Sequence, residues 1–195
     1  MDNGEAKRVL RERLVRIRAA LPEPARAAAA RACAGLVEGL PAWKRARTVA
    51  LYAPIGAEVD TSELVRRALA GGKRVAWPVL RAGRVALDFA ACAPEELVAG
   101  ALGTREPPAS ALAVPPAEID LVVVPGVAFD ESGNRLGRGR GHYDATLAGL
   151  PGTASRVGLA FEIQLVPLVP REDHDAPLDA VVTERRVCAA SRPLR

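Results

Sequence analysis

The residues richest in chemistry lie in one stretch, Gly133-Asn134-Arg135-Leu136-Gly137-Arg138-Gly139-Arg140-Gly141-His142-Tyr143-Asp144, downstream of the apolar run Leu121-Val122-Val123-Val124 and the turn Pro125-Gly126. Glycines at alternate positions let the backbone approach a ligand closely and present successive N–H donors. A helix predicted from about His142 to Leu150 adds its positive N-terminal end, so strand, Gly-rich loop and helix together form a cradle for anions. Arg135, Arg138 and Arg140 add forked donors suited to phosphate oxygens. A bare Gly-rich turn carrying arginines is also an ordinary surface feature. Its placement after an apolar strand favours a ligand site, because open α/β sheets bind ligands at the carboxyl ends of their strands. No Gly-Lys-Ser/Thr follows, which excludes a Walker A loop, and the third glycine is misplaced for a dinucleotide-binding fingerprint.

Around this cradle stand candidates that spacing alone does not decide. Asp144, in the first turn of the predicted helix, either caps it or holds Mg²⁺ bridging nucleotide phosphates. Glu172, Asp173, Asp175 and Asp179 cluster before the last strand; any could lie at the same sheet edge, though by composition alone such a cluster is usually a solvated loop. Glu58, in the turn Ala53-Pro54-Ile55-Gly56-Ala57-Glu58, either orients a polar ligand or is a surface residue. Lys7 and Arg11, one turn apart, share a helix face that is either a solvated basic face or a grip on a phosphate chain.

The elements that must position these groups follow from periodicity. Val9, Leu10, Leu14, Ile17 and Leu21 recur at helical spacing and predict an amphipathic helix from Glu5 to about Leu21. Pro22 and Pro24 end it, and a second, Ala-rich helix is expected to about Leu40. Strands are expected at Thr48 to Ala53, Arg74 to Pro78, Val85 to Phe89, Ile119 to Val124, Arg156 to Phe161 and Ala180 to Val187. Asp60-Thr61-Ser62-Glu63 has the spacing of a capping box opening a helix to about Ala70, which Gly71-Gly72 then ends. Leu121 to Val124 has no polar alternation and is expected to be a central strand buried on both faces. The segment from Ala90 to Pro116 reads as an irregular excursion. The fold expected is α/β: a layered, largely parallel sheet flanked by helices, as one domain over residues 1–195 with the N-terminal helical pair of 1–42 packed on it.

Composition bounds the function. In 195 residues, 27 Lys+Arg oppose 23 Asp+Glu, a net +4, too small to imply a polyanionic partner by itself. Apolar residues make up 49% and charged residues 26%, which excludes a disordered or collagenous chain. Aromatics are only 4%, too few for the stacking platforms of a single-strand nucleic-acid binder. Cys33, Cys92 and Cys188 lie far apart with no metal-binding spacing and read as reduced thiols. No apolar leader or membrane span is evident, so the expected location is the cytoplasm.

Taken together, Lys7-x-x-x-Arg11, Glu58-Val59-Asp60-Thr61, Gly72-Lys73-x-Val75 leading into Trp77-Pro78, Pro125-Gly126-x-x-Phe129-Asp130 and the block Gly133 to Asp144 resemble the 5-formyltetrahydrofolate cyclo-ligase (5,10-methenyltetrahydrofolate synthetase) family. Order and spacing hold over nearly the whole chain. The resemblance implies ATP- and Mg²⁺-dependent conversion of 5-formyltetrahydrofolate to 5,10-methenyltetrahydrofolate, ADP and phosphate, with reduced folate and ATP as the partners, no nucleic acid or membrane, and a monomer. By motif position it implies ATP contacts at Lys7, Arg11, Arg135, Leu136, Gly137, Arg138, Gly139, Arg140, Gly141, His142 and Tyr143. It implies folate contacts at Ala53, Glu58, Trp77, Arg138, Gly139, Arg140, Gly141 and His142, magnesium at Asp144 and Asp175, and catalytic charge stabilisation by Arg140 and Arg138. Position 142 is His where the family usually shows Tyr, and position 140 is Arg where Lys or Gly is common. These two departures motivate a rival enzyme reading, an ATP-dependent enzyme of the same type on another formylated substrate. The arginine content motivates a third, a non-catalytic nucleotide- or RNA-binding module, for which salt-dependent nucleic-acid binding without ATP turnover is the discriminating observation.

Overall fold

The structure is a computed structural model that describes residues 2–172 and 175–190. Five α-helices, α1 (Asn3–Ala19), α2 (Glu23–Gly39), α3 (Pro41–Arg45), α4 (Ser62–Ala70) and α5 (His142–Gly149), surround the strands among the described residues. The main sheet contains β1 (Thr48–Ala50), β2 (Arg74–Val79) and β3 (Asp88–Ala91) from the first half of the chain. Two short excursion strands, β4 (Val98–Ala99) and β5 (Arg105–Glu106), form a two-stranded sheet of their own, while β6 (Leu112–Ala113) joins the main sheet. The chain continues through β7 (Leu121–Val124), the hairpin β8 (Ala128–Phe129) and β9 (Arg135–Leu136), then β10 (Ser155–Leu159), β11 (Ala180–Val182) and β12 (Val187–Ala189). The eight-stranded sheet has the order β12-β11-β10-β7-β1-β2-β3-β6. Its five central strands are parallel, β12 and β3 run antiparallel to them, and the edge strand β6 pairs antiparallel with β3.

Side-chain alternation explains why the sheet is covered on both faces. Along β7, Leu121 and Val123 join one cluster with α2, α3 and α4, while Val122 and Val124 join another with Leu147 of α5 and Leu150 just after it. Successive residues of β1 and β2 divide the same way: Val49 and Val75 face the first cluster, Ala50 and Ala76 the second. A third cluster, Leu14 with Val127, Ala128, Leu136 and Val169, docks α1 against the β8–β9 hairpin. That contact is narrow. Leu14 is buried, whereas Val9 and Ile17 are exposed, so only part of the expected apolar face meets protein.

The structure corrects several local expectations. The expected strand Ala180 to Val187 is two antiparallel strands, because the chain reverses at residues 183–186, where Thr183 Oγ1 accepts from the backbone N–H groups of Arg185 and Arg186. The capping box before α4 does not form. Asp60 accepts from the Ser62 N–H, and Glu63 turns to Arg66 and Arg67, whose charge-assisted bonds outcompete a neutral backbone donor. The strand expected from Val85 begins at Asp88, and the expected excursion after Ala90 contributes β6 to the sheet edge.

Candidate active site

The parallel strands β1 and β7 end on one side of a cleft of about 520 Å³. The chain after β1 contributes Tyr52, Ala53, Ile55 and Glu58; the chain after β7 contributes Pro125 and Gly126; and residues 135–144 form the opposing rim. α1 closes one end with Lys7 and Arg11, and Glu172 and Asp175 meet Lys7 there.

Each charged group is held differently. Glu58 has a side chain only 7% exposed; one oxygen accepts from the Ile55 N–H at 2.9 Å and the other from Arg138 Nη2 at 3.0 Å. Arg138 also donates to the Ile55 carbonyl at 3.3 Å. Arg135 is the buried member of the loop, with 4% side-chain exposure; its Nη2 donates to Asp144 Oδ1 at 2.8 Å and its guanidinium stacks 5.7 Å from the Tyr143 ring centre. Lys7 Nζ pairs with Asp175 at 2.8 Å and with Glu172 at 3.4 Å. Arg11 Nε donates to the Gly137 carbonyl at 2.9 Å, laying its guanidinium along the Gly-rich loop. Arg140 is exposed, and its side chain makes no ion pair or hydrogen bond among the described residues.

Two glycines make this rim possible. Gly139 and Gly141 have φ of +92° and +70°, a region that strains any residue with a Cβ, and Gly141 in that conformation turns the loop into α5. The imidazole of His142 bonds through Nδ1 to the Val85 carbonyl at 2.7 Å, tying the 81–87 loop to the rim. A carbonyl can only accept, so Nδ1 carries the proton. Burial raises the phenol pKa values of Tyr52 and Tyr143 above their ordinary range, with the charge of Glu58 adding to the effect. Both therefore remain neutral donors, and Tyr52 gives its hydrogen bond to the Val59 carbonyl at 2.8 Å.

The donor set fits a hard cation arriving with a nucleotide. Asp144 and Asp175 both line the cleft, and Mg²⁺ commonly takes one or two protein carboxylates and completes its shell with water and phosphate oxygens. No group of three or more His, Cys, Asp or Glu suited to a metal occurs among the described residues, so an all-protein cage is not what this site resembles.

Similarity to known proteins bears directly on this cleft. The model of the 5-formyltetrahydrofolate cyclo-ligase family matches residues 3–184. The chain belongs to that family. The 5-formyltetrahydrofolate cyclo-ligase of Mycolicibacterium smegmatis is 38% identical over 192 residues, spanning 96% of this chain and 98% of its own length. That of Escherichia coli K12 is 41% identical over 148 residues, 73% of this chain and 80% of its own. The NMR structure of Aquifex aeolicus 5,10-methenyltetrahydrofolate synthetase superposes with a TM-score of 0.83 at 34% identity, covering 95% of this chain and 93% of that one.

Of the positions that the cyclo-ligase motifs single out, the cleft gathers Lys7, Arg11, Ala53, Glu58, all of 135–144 and Asp175. Trp77 is not among them. It is 3% exposed in the core beneath α2 and α4, and its Nε1 donates to the Cys92 carbonyl at 3.2 Å. The pleat of β2 explains the correction: Trp77 and Pro78 point to opposite faces, and Pro78 is the one at the cleft. Asp144 does not cap α5 but pairs with Arg135. Asp179 is buried at the base of β10, accepting from the Arg156 N–H at 2.8 Å, and does not line the cleft. Asp173 lies outside the described residues. Sequence reasoning missed Leu80, Leu87 and the stretch Thr104 to Glu106 at the cleft edge. Glu106 is buried there and accepts from the Leu80 N–H, but no motif in that segment signals it.

Proposed function

We propose that the protein is an ATP- and Mg²⁺-dependent 5-formyltetrahydrofolate cyclo-ligase that forms 5,10-methenyltetrahydrofolate, acting as a cytoplasmic monomer with one α/β domain over 1–195. The observation that carries this reading is the convergence on one cleft of cationic side chains, Lys7, Arg11, Arg138 and Arg140 among them, with the largely buried carboxylate of Glu58. Phosphates fit the first set, and a polar heterocycle with N–H donors fits the second. Among the described residues no helix is long and apolar enough to cross a membrane.

In this reading the formyl oxygen on N5 attacks the γ-phosphorus of ATP, the bond to the bridging oxygen breaks and ADP leaves. N10 then adds to the activated carbon, loses its proton, and the C–O bond breaks to release phosphate. The substrate oxygen is the nucleophile, so the protein's work is positioning and charge stabilisation. Lys7 and Arg11 bind the phosphate chain, and the N–H groups of the 137–141 loop wrap it. Arg140, unpaired among the described residues, is placed to meet charge developing on the transferred phosphoryl group, and Arg138 borders both substrates. Glu58 accepts from the pterin, and Arg138 holds that carboxylate oriented before substrate arrives. Asp144 and Asp175 would hold Mg²⁺, whose charge neutralises phosphate oxygens when it is bound. The structure favours neither rival reading with a specific contact. The test is the stoichiometry of ADP and phosphate release: one of each per folate consumed, and none without 5-formyltetrahydrofolate. Release independent of folate would overturn the proposal.

A further inference from the structure

A second cavity, of about 380 Å³, lies beside the main cleft between α1 and the 55–57 turn, with Arg11, Val15, Arg18, Gly56, Val127 and Arg138 among its walls. Arg11 and Arg138 line both spaces. Arg18 belongs to the second alone and has no part in the reaction proposed above. It is 5% exposed. Its Nη1 donates to the Gly126 carbonyl at 3.0 Å, its Nε is buried without an acceptor, and no carboxylate pairs with it among the described residues.

A buried guanidinium without a counter-charge is costly, because desolvation is not offset by an ion pair. Burial accordingly lowers the pKa of Arg18; the charge of Glu58 opposes the shift and that of Arg138 adds to it. Glu58 acts on Arg18 only through its charge: its carboxylate pairs with Arg138 and the Ile55 N–H and makes no ion pair with Arg18. The cavity wall carries three arginines and no acidic residue, and the rest of it is small or apolar. Such a lining selects for negative charge.

We propose that this second cavity is an oxyanion site in which Arg18, flanked by Arg11 and Arg138, takes a carboxylate or phosphate group beside the main cleft. The group has two possible sources. One is a free anion such as inorganic phosphate. The other is a carboxylate of the bound substrate reaching past Arg138, and this source alone rests on the function proposed above.

The test uses the full chain, its Arg18→Gln variant and Val15→Glu. Val15 is 41% exposed and lies one turn from both Arg11 and Arg18, so a glutamate there supplies an internal counter-ion without opening the core. Thermal unfolding is followed during titration with inorganic phosphate and with glutarate, in the presence of a non-hydrolysable ATP analogue. A free-anion site raises the wild-type Tm by about 4 °C at ten times the dissociation constant, and both variants lose the response. If free anions do nothing, esterifying the substrate's carboxylates raises its KM at least tenfold in the wild type and far less in Val15→Glu. The proposal is overturned by an anion response equal in all three proteins, or by no response together with unchanged KM ratios. Should Arg18→Gln fail to fold, Val15→Glu decides alone. Failure of the folate reading leaves the phosphate arm intact, so the two failures are distinguishable.

Discussion

Glu58→Gln separates a binding role from a structural one. The carboxamide is isosteric, and its oxygen can still accept from the Ile55 N–H, now 2.9 Å away. What is lost is the charge facing the cleft and the bond from Arg138. Arg138 is 49% exposed on its side chain, so that ion pair is screened and contributes about 0–1 kcal/mol to folding. A hydrogen bond from substrate to a charged acceptor contributes about 1.5–3 kcal/mol, or roughly 10- to 150-fold in affinity. The expected outcome is a KM for 5-formyltetrahydrofolate raised by about one to two orders of magnitude, with the KM for ATP changed less than about threefold and Tm lowered by only a few degrees. Steady-state kinetics with each substrate varied at saturation of the other, beside a thermal melt, reads all three. An unchanged KM for folate, or equal increases for both substrates, would refute the assignment of Glu58 to the folate wall. A large fall in Tm would show that the pair with Arg138 holds the 55–58 turn instead.

Arg140→Met removes a cation whose side chain pairs with nothing among the described residues, so Tm is expected to stay unchanged while kcat falls by about 10²–10³, the usual effect of deleting one transition-state donor; a normal kcat would refute its role. Removing residues 1–12 takes away the Lys7 and Arg11 contacts to Asp175 and the Gly137 carbonyl, and is expected to raise the KM for ATP more than that for folate; equal increases would contradict the phosphate assignment. Glu63 is held at a pKa of about 2, below its ordinary 4.5, by hydrogen bonds from Arg66 and then Arg67. A depressed carboxylate stabilises the fold above its unfolded pKa and loses that contribution as pH falls, here between about 4.5 and 2. Glu63→Gln should therefore flatten the acid side of the stability curve in that window, and an unaltered pH profile of urea unfolding would show the pairs to be inconsequential.

The layered, largely parallel sheet was legible because β7 and its neighbours carry the signature of doubly covered strands, and the Gly-rich rim because alternate glycines have few other uses after such a strand. The site was legible where local order in sequence is also order in space, as in 135–144 and at Lys7 and Arg11. It was illegible where three-dimensional placement decides. Trp77 and Pro78 are adjacent in sequence yet face opposite sides of β2, and no pattern says which side holds the ligand. Arg18 looks like one more solvated arginine of α1 until the Gly126 carbonyl and the 55–57 turn bury it. Glu106 reaches the cleft from a segment with no periodicity, held by its neighbour Thr104 and, across a long-range contact, by the Leu80 N–H. The apparent capping box at Asp60 failed because two arginines downstream compete for Glu63.

The most direct test of the central claim is near-ultraviolet absorbance of the purified protein mixed with 5-formyltetrahydrofolate, Mg²⁺ and ATP, because ring closure to the methenyl compound creates a conjugated chromophore that the substrate lacks. The account predicts a new band that grows only when ATP is present and whose rate collapses in Arg140→Met. A flat trace from folded protein that binds ATP would contradict it, and would mean that His142 and Arg140 mark a cleft shaped for a different formylated substrate.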